Sequence, residues 1–343
     1  MPMDVRHHND RRGVYPEAVS QMRLNLLTGR WVTIVESRAE RPSDFAVRQD
    51  VIESSRPCPF CPGNEEATHP ALETVDAGGD WTLRVIPNLY PAFEGDESFA
   101  VRNLGPVHVQ AEASGIHEVF VYSPDHSAAL NTLSDEAAVG LMDALSRRLE
   151  DHSDTDNVRY TQAIVNHGRE AGASLSHPHG QILGLPFVPG EIIEEERAFA
   201  RFAGGCVLCT TAEAELATGH RVVAANDDVV VVCPYWSGAP YELLIIPREH
   251  QSHLPRASDS ALAAAGLALR DATAHLNAAL GDVAYNVGFH TAPHQHRGPY
   301  HWHIHVWPNL VTQAGFERGT GVMINIVAPE AAAETLRAVK VTA

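Results

Sequence analysis

The chain repeats itself at an offset of 124 residues, and this constrains its fold more than any other feature. "HEVFVYSPDHSAAL" (117–130) and "YELLIIPREHQSHL" (241–254) each carry a glutamate, a run of β-formers, a proline and a histidine, aligning Glu118 with Glu242 and His126 with His250. Each is followed by an apolar helical pattern, "SDEAAVGLMDALSRRLEDH" or "SDSALAAAGLALRDATAHLNAAL", with Ser-Asp as the N-cap. The β-rich segments "VRYTQAIVNHG" and "VAYNVGFHTAP" come next. Finally "SHPHGQILGLP" aligns with "YHWHIHVWPNL", so His177 meets His301, His179 meets His303 and Gln181 meets His305. A shared offset across separate landmarks predicts two copies of one α+β unit, each built as strand, helix, strand and polar-alternating strand. The expected organisation is a mobile arm over 1–20, a first half over 21–190 and a second over 191–343, bridged by the charged helical stretch in "PFVPGEIIEEERAFARFAGG".

Composition narrows the partners. At 343 residues and 44% hydrophobic content, the chain can bury a substantial core. Its net charge of −18, from 43 acidic against 25 basic residues, argues against nucleic-acid or anionic-membrane surfaces, where broad basic patches supply affinity. A phosphate ester would have to be held locally, by a few arginines and backbone amides. No apolar run approaches the roughly 20 residues of a membrane helix, and the first residues lack the apolar centre of a signal peptide. The expectation is a cytoplasmic enzyme or binding protein.

The five cysteines make a poor disulfide framework. Cys58 and Cys61 form "CPFC", and Cys206 and Cys209 form "CVLC". A CxxC pair in a reducing cytosol is a metal clamp or a redox pair. Cys233, in the apolar run "VVVVCPYW", reads as an inert core residue. The repeat supplies each pair with partners: Cys58, Cys61, His126 and His177 in the first half, Cys206, Cys209, His250 and His301 in the second. Two thiolates and two imidazoles suit tetrahedral zinc, and a set with all four positions filled is structural. The alternative is that the pairs are redox-active and that His126 and His250 are surface histidines after a proline turn.

With His177 committed to zinc, His179 is the free group beside it, two residues along an extended chain and on the same face. A neutral imidazole, with a reference pKa of about 6.5, is a nucleophile at pH 7 without first losing a proton. Attack on phosphorus gives a phosphohistidine-type intermediate suited to reversible transfer. Upstream, "NHGREAGASLSHPHGQ" supplies Asn166, Gly172 and Ser174. Glycines let backbone amides approach phosphate oxygens, while Asn, Ser and Gln side chains donate to them as charge develops.

Taken together, "CPFC", "SPDHS", "NHG…AGASLSHPHGQ" and "HWHIHVWP" resemble the galactose-1-phosphate uridylyltransferase family of the histidine-triad superfamily, over about residues 22–338. The resemblance implies two fused histidine-triad-like units forming one antiparallel half-barrel sheet flanked by helices, in a homodimer. It makes His179 the nucleophile that takes a nucleoside monophosphoryl group from a UDP-sugar. Asn166, Gly172, Ser174 and Gln181 match residues that hold the phosphates. Arg38 and Arg41 of "VESRAERPSDF" stand where the family has phosphate-facing arginines. "PNLYPAF" resembles the nucleotide-side loop, with Asn88 as its contact, and "GFERGTG" the sugar-side segment, with Phe316 and Glu317. The implied reaction is ping-pong exchange of UMP between UDP-glucose and galactose 1-phosphate, without magnesium.

The pattern departs from the family in two places. Its best-known enzymes hold a second metal with a glutamate and histidines, whereas this chain offers Cys206 and Cys209 instead. That feature looks more like a side branch of nucleotide-sugar phosphorylases acting on ADP-glucose, which leaves the base, sugar and acceptor open. The second half also has "GFHTAPHQHRGPY" where the first has its Gly/Ser loop. His303, standing where a second nucleophile would, is therefore expected to be structural or substrate-lining.

Overall fold

The alternation that defines the repeat becomes one sheet. A computed structural model describes residues 20–36 and 57–341, which leaves the N-terminal arm, Arg38 and Arg41 outside the described residues. In chain order the first half contains β1 (Gln21–Leu24), β2 (Trp31–Ile34), β3 (Glu73–Ala77), β4 (Asp80–Pro87), β5 (Arg102–Asn103), β6 (Val109–Gln110), β7 (Ile116–Val121), α1 (Asp135–Ser153), β8 (Tyr160–His167) and β9 (His179–Leu185). There follow α2 (Gly190–Arg201), α3 (Val207–Thr218), β10 (Val222–Ala225), β11 (Val229–Val232), β12 (Leu243–Pro247), α4 (Asp259–Leu280), β13 (Tyr285–His290), β14 (His303–Pro308), α5 (Gly315–Thr320), β15 (Met323–Asn325) and α6 (Pro329–Ala338). The fold is α+β.

Ten strands form an antiparallel sheet in the order β10-β11-β12-β14-β13-β8-β9-β7-β4-β3. The repeat is visible in it: β7-β9-β8 answers β12-β14-β13, and the copies join where β8 pairs with β13, Asn166 opposite Asn286. A smaller sheet, β1-β2-β15, joins the first described strands to the last one, with β15 parallel to β2.

Because strand side chains alternate, the large sheet has two different faces. One is apolar and lies under α1 and α4, where Phe120, Ala163, Val165, Ile182, Phe289 and Ile304 bury against Leu141, Leu145 and Leu269. Each large apolar side chain buried there contributes about 1.5–3 kcal/mol. Both helices start at the expected caps: Ser134 and Ser258 accept the N–H of Ala137 and Ala261. The helices approach so closely that a Cβ on Gly266 would lie 2.3 Å from the Ala138 carbonyl oxygen. Cys233 is fully buried in this core, and burial pushes its thiol pKa up, as an inert residue requires. Among the described residues no helix is long and apolar enough to cross a membrane.

The register corrects one alignment. Gln181 lies opposite Val119, but its counterpart His305 lies opposite Leu244, so β12 is slipped by one residue relative to the offset that β9 and β14 share. A one-residue slip exchanges faces. Glu118 accordingly points under the helices, accepting from Arg148 Nε at 3.0 Å, while Glu242 points to the opposite face, 4.0 Å from His305. The aligned glutamates are not equivalent.

Candidate active site

The face turned away from α1 and α4 carries the polar residues of both halves. At its first-half end, β9 opens on His179, which is 9% exposed. The His179 Nδ1–H donates to the His177 carbonyl at 2.8 Å, which leaves Nε2 with a lone pair directed away from its own strand. Burial pushes the His179 pKa below the ordinary histidine value, against the opposing pull of that carbonyl. The ring is therefore neutral at pH 7. Phe60, from the loop between Cys58 and Cys61, packs on it with centroids 5.3 Å apart. Gly180 points to the helix face, where a Cβ would lie 2.1 Å from Phe120 Cζ and 2.5 Å from the Ile164 carbonyl oxygen.

Val165 pairs with Gly180, so Asn166 follows at the next rung beside His179. The loop from Gly168 to Gly172 curls over that end: both glycines have positive φ, and a Cβ on Gly168 would press 2.8 Å from Ala284 Cβ. Ser174 is exposed on the approach to β9. The second half holds this loop in place. Asn286 Nδ2 donates to Asn166 Oδ1 at 2.7 Å and to the Ala171 carbonyl at 2.8 Å, and Asn309 Nδ2 donates to the Glu170 carbonyl at 2.6 Å. Gln181 Oε1 accepts from His117 Nε2 at 2.8 Å, and Asn88 Nδ2 lies 3.1 Å from the same nitrogen. His179, Gln181, Asn166 and Asn88 thus gather at one end of the sheet. The contacts of Phe316 and Glu317 are local to α5: Glu317 Oε2 accepts the Ala314 N–H at 3.0 Å, and the Phe316 carbonyl accepts the Thr320 hydroxyl at 2.7 Å. The structure does not join them to the β9 end.

Both expected quartets are assembled. The candidate ligand atoms of Cys58, Cys61, His126 and His177 lie within 4.8 Å of one another, as do those of Cys206, Cys209, His250 and His301. A tetrahedral zinc, bonded at roughly 2.3 Å to sulfur and about 2.0 Å to nitrogen, sets sulfur and nitrogen about 3.5 Å apart. Cys61 Sγ is 3.3 Å from His126 Nδ1 and 3.6 Å from His177 Nδ1; Cys209 Sγ is 3.5 Å from His250 Nδ1 and 3.4 Å from His301 Nδ1. The far nitrogens of His177 and His301 donate to the Ser123 and Pro247 carbonyls at 2.8 and 2.9 Å, which turns each Nδ1 lone pair toward the thiols. The donor sets fit the metal.

A third set corrects the expectation that cysteines replace a glutamate-histidine site. Glu195, His290, His303 and His305 converge, all buried, on the same face in the second half. His290 and His305 stand 124 residues on from Asn166 and Gln181, and His303 stands likewise from His179. These counterparts of the candidate catalytic residues are closed over by Glu195 from α2. His290 Nδ1 bonds Glu195 Oε1 at 2.8 Å, His303 Nε2 lies 3.1 Å from His305 Nε2, and Tyr300 donates its hydroxyl to Glu195. Burial works to raise the Glu195 pKa, but His290 and His303 outweigh it and hold the carboxyl well below its usual range. His303, with no exposed surface, cannot reach a substrate. Glu195 carried no usable signal, being one of four glutamates in "GEIIEEERAFAR"; His290 was findable from the offset, as were its partners. His117 and Asn286 were missed because their roles lie in what they hold.

Comparison with known proteins covers both halves of the chain. Residues 10–189 match the galactose-1-phosphate uridyl transferase N-terminal domain, and residues 190–340 its C-terminal domain. The chain is 33% identical to the ADP-glucose phosphorylase of Arabidopsis thaliana, over 98% of this chain and 99% of that protein. It is 30% identical to the galactose-1-phosphate uridylyltransferase of Thermotoga maritima, over 94% and 99%. The crystal structure of an Arabidopsis thaliana ADP-glucose phosphorylase with bound ADP-glucose superposes with a TM-score of 0.81 at 31% identity, covering 94% of this chain and all of that one.

Proposed function

The chain belongs to the galactose-1-phosphate uridyl transferase family, and from that premise we propose that it exchanges UMP between UDP-glucose and galactose 1-phosphate through His179. The observation that carries this reading is the His179 Nδ1–H bond to the His177 carbonyl, which holds Nε2 as a neutral, oriented nucleophile. Nε2 attacks the α-phosphorus; the bond to the bridging oxygen breaks, and glucose 1-phosphate leaves with that electron pair. A phosphate oxygen of galactose 1-phosphate then attacks the uridylyl-histidine, the P–N bond breaks, and His179 is regenerated. Gln181, Asn166, Ser174 and the amides around Gly172 stabilise the phosphoryl oxygens, with Arg38 and Arg41 as further counter-charges and Asn88 on the nucleotide side. Phe316 and Glu317 are assigned to the sugar by the resemblance alone. Each half is read as one histidine-triad-like unit of a homodimer. Zinc at the two Cys/His quartets fixes the strand entries and takes no part in the transfer. A cytoplasmic location suits the reduced thiols this requires.

A second reading is favoured by the similarity to ADP-glucose phosphorylase: inorganic phosphate accepts an adenylyl group from the same histidine, releasing ADP. Intact mass after incubation with UDP-glucose or ADP-glucose, without acceptor, separates the two. A uridylyl adduct absent in His179→Ala supports the first, an adenylyl adduct the second, and no adduct with either refutes both.

A further inference from the structure

We propose that His117 is a positioning residue for the transfer, its tautomer turning the Gln181 carboxamide so that N–H groups, and not oxygen, face the phosphoryl group at His179. The proposal rests on the reading of His179 as nucleophile. Nothing in the resemblance singles out His117.

The ring of His117, half buried on β7, is fixed from both sides. The backbone N–H of Ala92 donates to Nδ1 at 2.9 Å. A backbone nitrogen can only donate, so Nδ1 carries the lone pair and the one proton of a neutral ring sits on Nε2. That Nε2–H meets Gln181 Oε1 at 2.8 Å. The reversed carboxamide would set an NH2 against an N–H, two donors at hydrogen-bond distance, and would forfeit the bond. With its oxygen occupied, Gln181 presents its amide nitrogen to the face that carries His179.

Asn88 responds to the same ring. Its Oδ1 accepts the Tyr90 N–H at 2.9 Å, so Nδ2 is the atom standing 3.1 Å from His117 Nε2. Two donors meet there, so Asn88 cannot hydrogen-bond the ring, and its amide hydrogens remain for an acceptor on a ligand. The Asn88 backbone N–H bonds the His117 carbonyl at 2.9 Å, which ties the end of β4 to β7. One imidazole therefore leaves two carboxamides with nitrogen outward. That surface suits phosphate and hydroxyl oxygens and repels a group that itself donates.

The test is a double-mutant cycle on the rate of nucleotidyl-adduct formation, with melting temperature and metal content measured alongside. His117→Ala and Gln181→Ala are each expected to slow the adduct roughly 100- to 1,000-fold, as loss of one positioned donor to a developing oxyanion does, and the double mutant is expected to be no slower than Gln181→Ala. His117→Gln, whose amide nitrogen takes the place of Nε2 and can donate to Gln181, restores most of the rate. Multiplying losses in the double mutant, an unaffected Gln181→Ala, or a folded His117→Gln as slow as His117→Ala overturns the proposal. A wild-type chain that forms no adduct from either nucleotide sugar removes the functional reading and this proposal together, whereas a normal wild-type adduct with multiplying losses removes this proposal alone.

Discussion

Gly180 shows how much a single position of the alternating strand contributes. Glycine is usually weak in a strand interior, because it has no side chain to pack and loses the most backbone freedom. Here the Phe120 ring occupies the space a Cβ would take, and Ile164 closes it from β8. Gly180→Ala should therefore displace β9 or Phe120, at a cost of about 1–3 kcal/mol from overpacking. Because His179 is the adjacent residue, the adduct rate should fall further than the melting temperature alone would imply. Thermal melting and adduct formation on the same preparation check this, and an alanine variant with wild-type values for both would refute it. The alternation that places His177, His179 and Gln181 on one face and Gly180 on the other was legible in "SHPHGQIL". What filled the far face was not, since Phe120 lies 60 residues away in sequence.

At the level of elements, the strand ends decide the site. The periodicity was enough to find α1, α4, β8 and β13 and their caps, and the repeat was enough to pair the two quartets. The slip of β12 was invisible, because the offset of 124 holds for His126 and His250 while the strand between shifts by one residue. A shift of that size leaves the run of β-formers looking the same and changes only which face each residue takes. The joint between β8 and β13 was equally hidden, since strand order across a pseudo-symmetric boundary is set by packing and not by local pattern. That joint has a measurable consequence. Asn286, on β13, satisfies two acceptors of the first-half loop, so Asn286→Ala leaves Asn166 Oδ1 and the Ala171 carbonyl short of a partner. Unmet polar groups of this kind cost about 1–3 kcal/mol. The variant should slow adduct formation roughly tenfold with both Cys/His quartets still assembled, as read by kinetics and elemental analysis. An unchanged rate would mean that the loop is held without Asn286.

Across the whole molecule, the two copies have diverged in what they do with the same frame. In the first, the pair of β8 and β9 keeps a neutral histidine at the surface of the sheet. In the second, the equivalent positions are drawn into a buried cluster by Glu195, so the same frame carries a candidate nucleophile in one half and a closed polar cluster in the other. The halves must then stay registered, and a polar link between them reports on that. Thr161 of β8 bonds His294 Nε2 at 2.8 Å, just beyond β13, and lies 3.3 Å from His152 Nδ1 on α1. Burial, reinforced by His152 and His253, lowers the His294 pKa to about 4. In the unfolded chain its pKa is about 6.5. Between those values the unfolded state binds the proton and the folded state does not, so this residue makes stability fall as pH drops from about 6.5 to 4 and costs nothing above that window. The shift corresponds to roughly 3 kcal/mol at the acid end. Glu150, His253 and Arg256 line the same crevice, and burial lowers the His253 pKa as well, so the loss on acidification is shared between neighbouring imidazoles, and a variant at His294 is needed to isolate its part. Denaturant unfolding followed at intervals from pH 7.5 to pH 4 should show this loss. His294→Gln, which keeps an amide donor for the Thr161 hydroxyl and cannot titrate, should flatten the slope across the same interval; an equal slope in the variant would place the acid sensitivity elsewhere in the joint.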